Sequence, residues 1–205
     1  APQTGEALGR NVTGLHGQPD DATPLTPEER EGLIPSHITA RRELNELEQQ
    51  NILAADVWAL QRRHDPVSES FAKKLHRRMF RTVWKWAGQY RASDKNIGVP
   101  RTEIHNALYQ ALDNARHWVD NKTFPPDEIA VRFHHALVAV HPFPNGNGRW
   151  ARLMADVLAA RLGQKRFSWG GVNLRAENEM RDTYIAALKA ADKHDFAPLL
   201  AFARS

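Results

Sequence analysis

The chain contains no cysteine. That absence excludes a disulfide framework, thiol catalysis and every zinc site built on cysteine. Long hydrophobic runs are missing too: no uninterrupted apolar stretch approaches the roughly 18 to 20 residues a bilayer span needs, and no apolar h-region of a secretion signal stands at the start. A soluble, cytoplasmic protein without a membrane partner is the expectation. An excess of charge is lacking as well. The 28 Lys and Arg against 24 Asp and Glu leave a formal net charge of +4 over 205 residues, too small a surplus to predict direct nucleic-acid binding. What is present suits a globular domain with a sizeable core, 41% of the residues being apolar and 25% charged. Any metal would sit on His, Asp, Glu, Asn or phosphate.

Residues 1–24 hold Gly, Pro, Thr, Gln and Asp with scattered apolar positions, so burial there cannot offset the entropy of ordering. They are predicted to form a disordered tail ahead of one domain over 25–205. Asn11-Val12-Thr13 and Asn121-Lys122-Thr123 fit a glycosylation acceptor pattern, but without a secretion signal they read as accidental.

From Thr26 onward the periodicity is helical almost throughout. Thr26-Pro27-Glu28-Glu29 opens a short helix as a capping box, and Gly32 stops it. Thr39 caps a long helix to about Arg63, with Leu44, Leu47, Ile52, Leu53, Ala55, Val57 and Leu60 marking its buried face. Further helices are predicted from about Ser68 to Trp86, Thr102 to Asp120, after Pro125-Pro126 to Val140, Arg149 to Leu162, Arg175 to Ala190, and Asp195 to Ala203. The prediction is a nearly all-α fold of about eight helices with no internal repeat. Only between Tyr90 and Arg101 does the period fail, where Ser93-Asp94-Lys95-Asn96 reads as a turn and Ile97-Gly98-Val99-Pro100 as an extended piece, the one β-hairpin candidate.

Two prolines and two glycines fall within His141-Pro142-Phe143-Pro144-Asn145-Gly146-Asn147-Gly148, breaking one apolar helix before another begins near Arg149. Gly146, Asn147 and Gly148 thereby reach a helix N-terminus, where unpaired N–H groups and the helix dipole attract anions and glycine admits a phosphate. Arg149 and Arg152 share a helical face and could reach successive phosphates. His141, with an ordinary pKa near 6.5, suits a general base near neutral pH. His134 and His135 are adjacent and point about 100° apart on a helix, so they are not expected to share a metal. Lys73-Lys74-Leu75-His76-Arg77-Arg78 reads as the solvated face of an amphipathic helix.

The run His141-Pro142-Phe143-Pro144-Asn145-Gly146-Asn147-Gly148-Arg149 resembles HPFxxGNGR, the signature of the Fic family. The likeness extends to Leu75-His76 and Val83-Trp84-Lys85-Trp86-Ala87-Gly88-Gln89-Tyr90-Arg91, which resemble the approach to that family's flap hairpin, and to Tyr184-Ile185-Ala186-Ala187-Leu188, which resembles its C-terminal helix. Leu33-Ile34-Pro35, Glu43-Leu44-Asn45-Glu46 and Phe167-Ser168-Trp169-Gly170-Gly171 look most like the subgroup called mobile mystery protein B. The resemblance implies a Fic-type helical bundle with a flap. It also implies transfer of AMP from ATP to a hydroxyl of a target protein, or of the chain itself, with pyrophosphate leaving. His141 would then be the base; Asn147 with the backbone of Gly146 and Gly148 would hold phosphates; Arg149 would stabilise pyrophosphate, and Arg152 would bind the γ-phosphate. A phosphorylating branch, Doc, carries lysine where this chain has Gly148, so glycine favours adenylyl transfer.

The resemblance implies Mg²⁺ as well, although many members carry Asp or Glu where Asn145 stands, and a neutral amide helps magnesium less. Removal of AMP from a modified target, phosphotransfer on the same loop, and a catalytically quiet nucleotide-binding module are the alternatives. The family's inhibitory pattern (S/T)xxxE(G/N) is met in part by Thr39-Ala40-Arg41-Arg42-Glu43, making Glu43 a candidate partner of Arg152. The segment Ser93, Asp94, Lys95, Asn96, Ile97, Gly98 and Val99 would be the flap that docks the target. Tyr184 would stack on the base or pack in the core. The subgroup's association with mobile elements implies a DNA-binding companion protein.

Overall fold

The computed structural model describes residues 31–38, 41–61, 64–171 and 177–205. The tail expected over 1–24, the capping box at Thr26 and the Thr39 cap lie outside the described residues. Within them run seven α-helices: α1 Arg41–Gln61, α2 Glu69–Phe80, α3 Ile104–Asn121, α4 Pro126–Val140, α5 Asn147–Arg161, α6 Glu177–Ala191 and α7 Ala197–Arg204, with a 3-10 turn Arg101–Glu103 ahead of α3. Local chemistry sets several of the starts. Ser68 is the extended N-cap of α2, its Oγ accepting from the Phe71 N–H at 3.3 Å. Pro126 opens α4, with Asp127 and Glu128 in the first turn complementing the dipole.

α5 is apolar nearly all round, burying Trp150, Ala151, Leu153, Met154, Ala155, Val157, Leu158 and Ala159, which makes it the central helix. It packs on α4 most extensively and also on α1 and α2, while α7 packs on α6 and α4. The Trp150 indole is fully buried and donates to the Ala72 carbonyl at 3.0 Å, tying α5 to α2. On the far side, buried Asp156 of α5 accepts from the Phe167 N–H at 3.2 Å and the Trp169 indole at 3.1 Å, anchoring the segment after α5.

Three expectations need correction. α2 ends at Phe80 rather than near Trp86, because the Val83 carbonyl and the Lys85 N–H bond to Ile34 and Gly32 instead of to their own helix. No β-hairpin forms over 93–99; among the described residues the only β-type pairing is an isolated antiparallel bridge between Leu33 and Trp84. On α1, Leu44, Glu48, Ala55 and Ala59 are buried and Leu47, Ile52 and Leu60 pack partly buried against the core, whereas Leu53 and Val57 are exposed.

Two histidines are buried and neutral. Burial pushes His76 and His134 down to about 3, with a nearby arginine acting in the same direction on each. An unfolded histidine titrates near 6.5, so the folded chain binds fewer protons than the unfolded one below that pH. Stability is therefore full above about 6.5 and is lost as pH falls toward 3. For His134 the expected loss at pH 5 is about 2 kcal/mol. Urea unfolding at pH 7.5 and pH 5 should show His134→Gln with a shallower pH dependence by about that amount; identical pH dependence in variant and parent would contradict the assignment.

Candidate active site

The loop 141–146 joins the C-terminus of α4 to the N-terminus of α5, and its shape is set by its own backbone. His141 ends α4 in the left-handed region, φ 51 and ψ 58, its N–H returning to the Leu137 carbonyl at 3.2 Å. Glycine is the usual residue there, so a histidine carries strain of roughly 1–2 kcal/mol. The Asn147 side chain closes the loop from within. Its Oδ1 accepts from the Phe143 N–H at 2.9 Å and its Nδ2 donates to the Phe143 carbonyl at 2.8 Å, with the residue only 1% exposed. The oxygen and one N–H of the Asn147 amide thus hold the loop, and its backbone starts the helix that the phosphate site was expected at.

Gly146 is the N-cap of α5 at φ 78, and no side chain caps the N–H groups of that helix's first turn. A Cβ on Gly146 would lie 2.5 Å from the Phe80 ring, whereas one on Gly148 would meet nothing within 4 Å. Asn145 has both oxygens engaged: its carbonyl faces His76 Nε2 at 3.0 Å, and its Oδ1 accepts from the Gly146 N–H at 2.5 Å. Among the described residues no group of three His, Asp or Glu side chains could hold a metal. With Asn145 neutral and already hydrogen-bonded, the donor set does not fit a resident metal centre.

Sequence reasoning missed three residues that shape this loop. His76 Nδ1 accepts from the Gly88 N–H at 3.0 Å, which leaves the proton on Nε2 to donate to Asn145, and the ring stacks on Phe143 at 3.7 Å. Arg91 donates from Nε to the His141 carbonyl at 2.8 Å. Glu48 is the carboxylate that reaches the motif: it is 4% exposed, accepts from Arg149 Nη1 at 2.8 Å, and takes the Trp84 indole N–H on its other oxygen at 2.5 Å. The carboxylate seen on the motif's arginines is Glu48 on Arg149, where Glu43 on Arg152 was expected. Glu43 is exposed on α1, and five residues of helix rotate by about 140°, turning Glu48 inward with Leu44 while Glu43 faces out. A polar residue four positions after Leu44 on the inner stripe was the signal available for Glu48.

Arg152 donates from Nε to the Gly148 carbonyl at 3.3 Å, and its guanidinium lies 5.7 Å from the Tyr184 ring centroid. Burial pushes that guanidinium below its usual value. Tyr184 takes the core alternative: its hydroxyl lies 2.9 Å from His134 Nε2, its ring is 5.4 Å from Phe202, and burial lifts it to about 12. His135 pairs separately with Asp192 at 2.8 Å, so the two adjacent histidines diverge as expected. Lys73, Lys74, Arg77, Arg78 and Arg81 line an open groove on the outer side of α2, away from its buried face.

The His141 ring is half-buried, and its Nδ1 has no hydrogen-bond partner. Burial lowers its pKa, opposed by the Val138 carbonyl and reinforced by the charges of Arg91 and Lys95. The imidazole is therefore neutral at neutral pH, the form a base requires. The two glycines should part company under substitution. Gly146→Ala combines a positive φ with a clash on Phe80 and should cost about 2 kcal/mol or more. Gly148→Ala should leave stability equal to the parent or up to about 1 kcal/mol higher, since it lies inside a helix with room for a methyl group. Denaturant unfolding of the two variants side by side checks both.

A family model described as Fic/DOC family matches residues 66–159. "Protein adenylyltransferase fic-1" of Caenorhabditis elegans is 29% identical over 147 residues, covering 70% of this chain and 28% of the relative. "Protein adenylyltransferase Fic" of Aedes aegypti is 27% identical over 133 residues, covering 63% of this chain and 25% of the relative. The chain thus spans little more than a quarter of these relatives' length. Among solved structures, the Bartonella tribocorum effector BepC with bound AMPPNP superposes with a TM-score of 0.64 at 16% identity, over 87% of this chain and 97% of that one. Fic-1 of Caenorhabditis elegans superposes with a TM-score of 0.63 at 25% identity, over 84% of this chain and 50% of that one. Residues 66–159, which hold the signature loop and the helices packed around it, are the part of this chain that is similar to the Fic/DOC family.

Proposed function

We propose that this protein transfers AMP from ATP to a hydroxyl side chain of a target protein, releasing pyrophosphate. The observation that carries the reading is the junction of α4 and α5, where a neutral histidine ends one helix and an uncapped, glycine-lined N-terminus begins the next, with open space over Gly148. The relatives named protein adenylyltransferase support the same reaction. In that reaction the N–H groups at the start of α5 receive the nucleotide's phosphates. His141 takes the proton of the incoming hydroxyl as its oxygen bonds to the α-phosphorus, and the bond from that phosphorus to the bridging oxygen breaks. Arg149 meets the charge that develops on the departing pyrophosphate. Magnesium belongs here to the substrate, carried on the ATP phosphates, because Asn145 supplies no anionic oxygen.

In the resting chain Arg149 is held by Glu48, so phosphate must displace that carboxylate before the arginine can act. We therefore assign the inhibitory role to Glu48 in place of Glu43. The finer likeness to the mobile mystery protein B subgroup rests on Leu33-Ile34-Pro35, Glu43-Leu44-Asn45-Glu46 and Phe167-Ser168-Trp169-Gly170-Gly171, and a DNA-binding companion protein follows only from it.

Incubation with a lysate and ATP labelled at the α or the γ phosphate tests the reaction. Transfer of α-label alone, abolished by His141→Ala, is expected; γ-label transfer would indicate phosphorylation, and bound ATP with neither label moving would indicate a quiet binding module. Glu48→Gln keeps an acceptor for the Trp84 indole and removes the charge on Arg149, so labelling should rise about tenfold, the scale of one charge-assisted hydrogen bond. Glu43→Gln should leave it unchanged. Because burial and neighbouring cations lower the His141 pKa, the rate should stay level as pH falls to the ordinary histidine value near 6.5 and decline only below it.

A further inference from the structure

Arg91 is buried, its side chain 1% exposed, yet the one carboxylate paired with it among the described residues, Asp94, lies 3.6 Å away and is 66% exposed. Its guanidinium is satisfied by backbone instead. Nε donates to the His141 carbonyl at 2.8 Å, Nη1 to the Ser93 carbonyl at 3.0 Å, and Nη2 to the Val99 carbonyl. The Arg91 N–H also donates to the Pro142 carbonyl at 2.9 Å, so this one residue grips both carbonyls at the end of α4. Ser93 and Val99 are the two ends of the loop the sequence marked as the flap. From the other side the Val99 N–H reaches the Val140 carbonyl at 3.4 Å. Gly98, at φ 99, rests so close that a Cβ there would stand 2.6 Å from that of His141.

A planar guanidinium with donors in a fixed fork can hold several carbonyls in one geometry, which a lysine ammonium cannot. Neither end of the 93–99 loop can leave, and His141 cannot abandon its left-handed conformation, without breaking a bond to the same buried cation. We infer that Arg91 is a positioning residue that sets the flap and His141 as one unit, so that a target segment laid along the loop is registered on the base that would deprotonate it. This inference rests on the proposed transfer for its purpose; the linkage itself is geometric. The groups whose charge faces the imidazole are Arg91 and Lys95, both from the flap side, with the Val138 carbonyl from α4.

The test uses the full chain without nucleotide, so it decides the linkage even if the proposed reaction is wrong. Arg91→Met removes the cation and all three side-chain bonds; Arg91→Lys keeps the charge and can reach one carbonyl at a time. NMR titration of the His141 ring should show its pKa rising toward 6.5 in Arg91→Met and rising less in Arg91→Lys. Hydrogen exchange at the Val99 amide should accelerate about tenfold or more in Arg91→Met. Should burial of a methionine there prevent folding, Gly98→Ala serves in its place, since it pushes the loop off His141 while Arg91 remains; faster exchange and a smaller rise, from lost burial alone, are expected. With a labelled target, kcat/KM should fall in all three variants while the affinity for ATP stays at the parent value, because none of them touches the start of α5. An unmoved His141 titration together with unchanged Val99 exchange in a folded variant would overturn the inference.

Discussion

Everything at this site depends on two buried helix ends being brought to one place by a six-residue loop. α4 and α5 pack along each other through the core, and the chain must turn between Val140 and Asn147. That turn is short enough to force a left-handed histidine at one end and a left-handed glycine at the other. The chemistry available follows from the geometry: an imidazole that stays neutral because it is half-buried, and first-turn amide protons that no side chain caps. Asn147 stabilises the arrangement from inside, satisfying both polar groups of Phe143, so the loop keeps its shape without a ligand.

Around this turn the molecule adds three clamps, each from a distant part of the chain. His76 of α2 holds the Asn145 carbonyl and the Gly88 N–H together, linking the loop to the turn that follows α2. Arg91 holds the His141 carbonyl and both ends of the flap. Glu48 of α1 holds Arg149 and the Trp84 indole. Each clamp is a buried polar group with several partners, an arrangement that makes neighbouring segments interdependent. The apolar packing of α5 supplies stability in bulk, whereas these clamps supply the particular conformation.

The helices and the site loop were readable in the sequence for local reasons. Ser68 and Pro126 announce their helices, and Pro142, Pro144 and Gly146 break the chain into a loop between two apolar helices. The length of α2 was misread because the residues after Phe80 keep an apolar spacing, Val83 and Trp86, while their hydrogen bonds cross to Gly32 and Ile34. The roles of Glu48, Arg91 and His76 were not readable, since their partners lie 101, 50 and 69 residues away. A carboxylate on an inner helical stripe was visible; which arginine it would meet was not. Tyr184 sits where helical spacing put it, and only the buried His134 beside it decides between a stacking surface and a packed one.

The sharing of one carboxylate between Arg149 and Trp84 gives the molecule an optical gauge. An indole whose N–H is bonded to a carboxyl oxygen, and whose ring stacks 5.0 Å from that of Trp86, emits according to that bond. Any event that draws the arginine away must redistribute the charge Glu48 offers to the indole. Release of Arg149 from Glu48 would thus be announced by the chain's own fluorescence, without a dye or an added label.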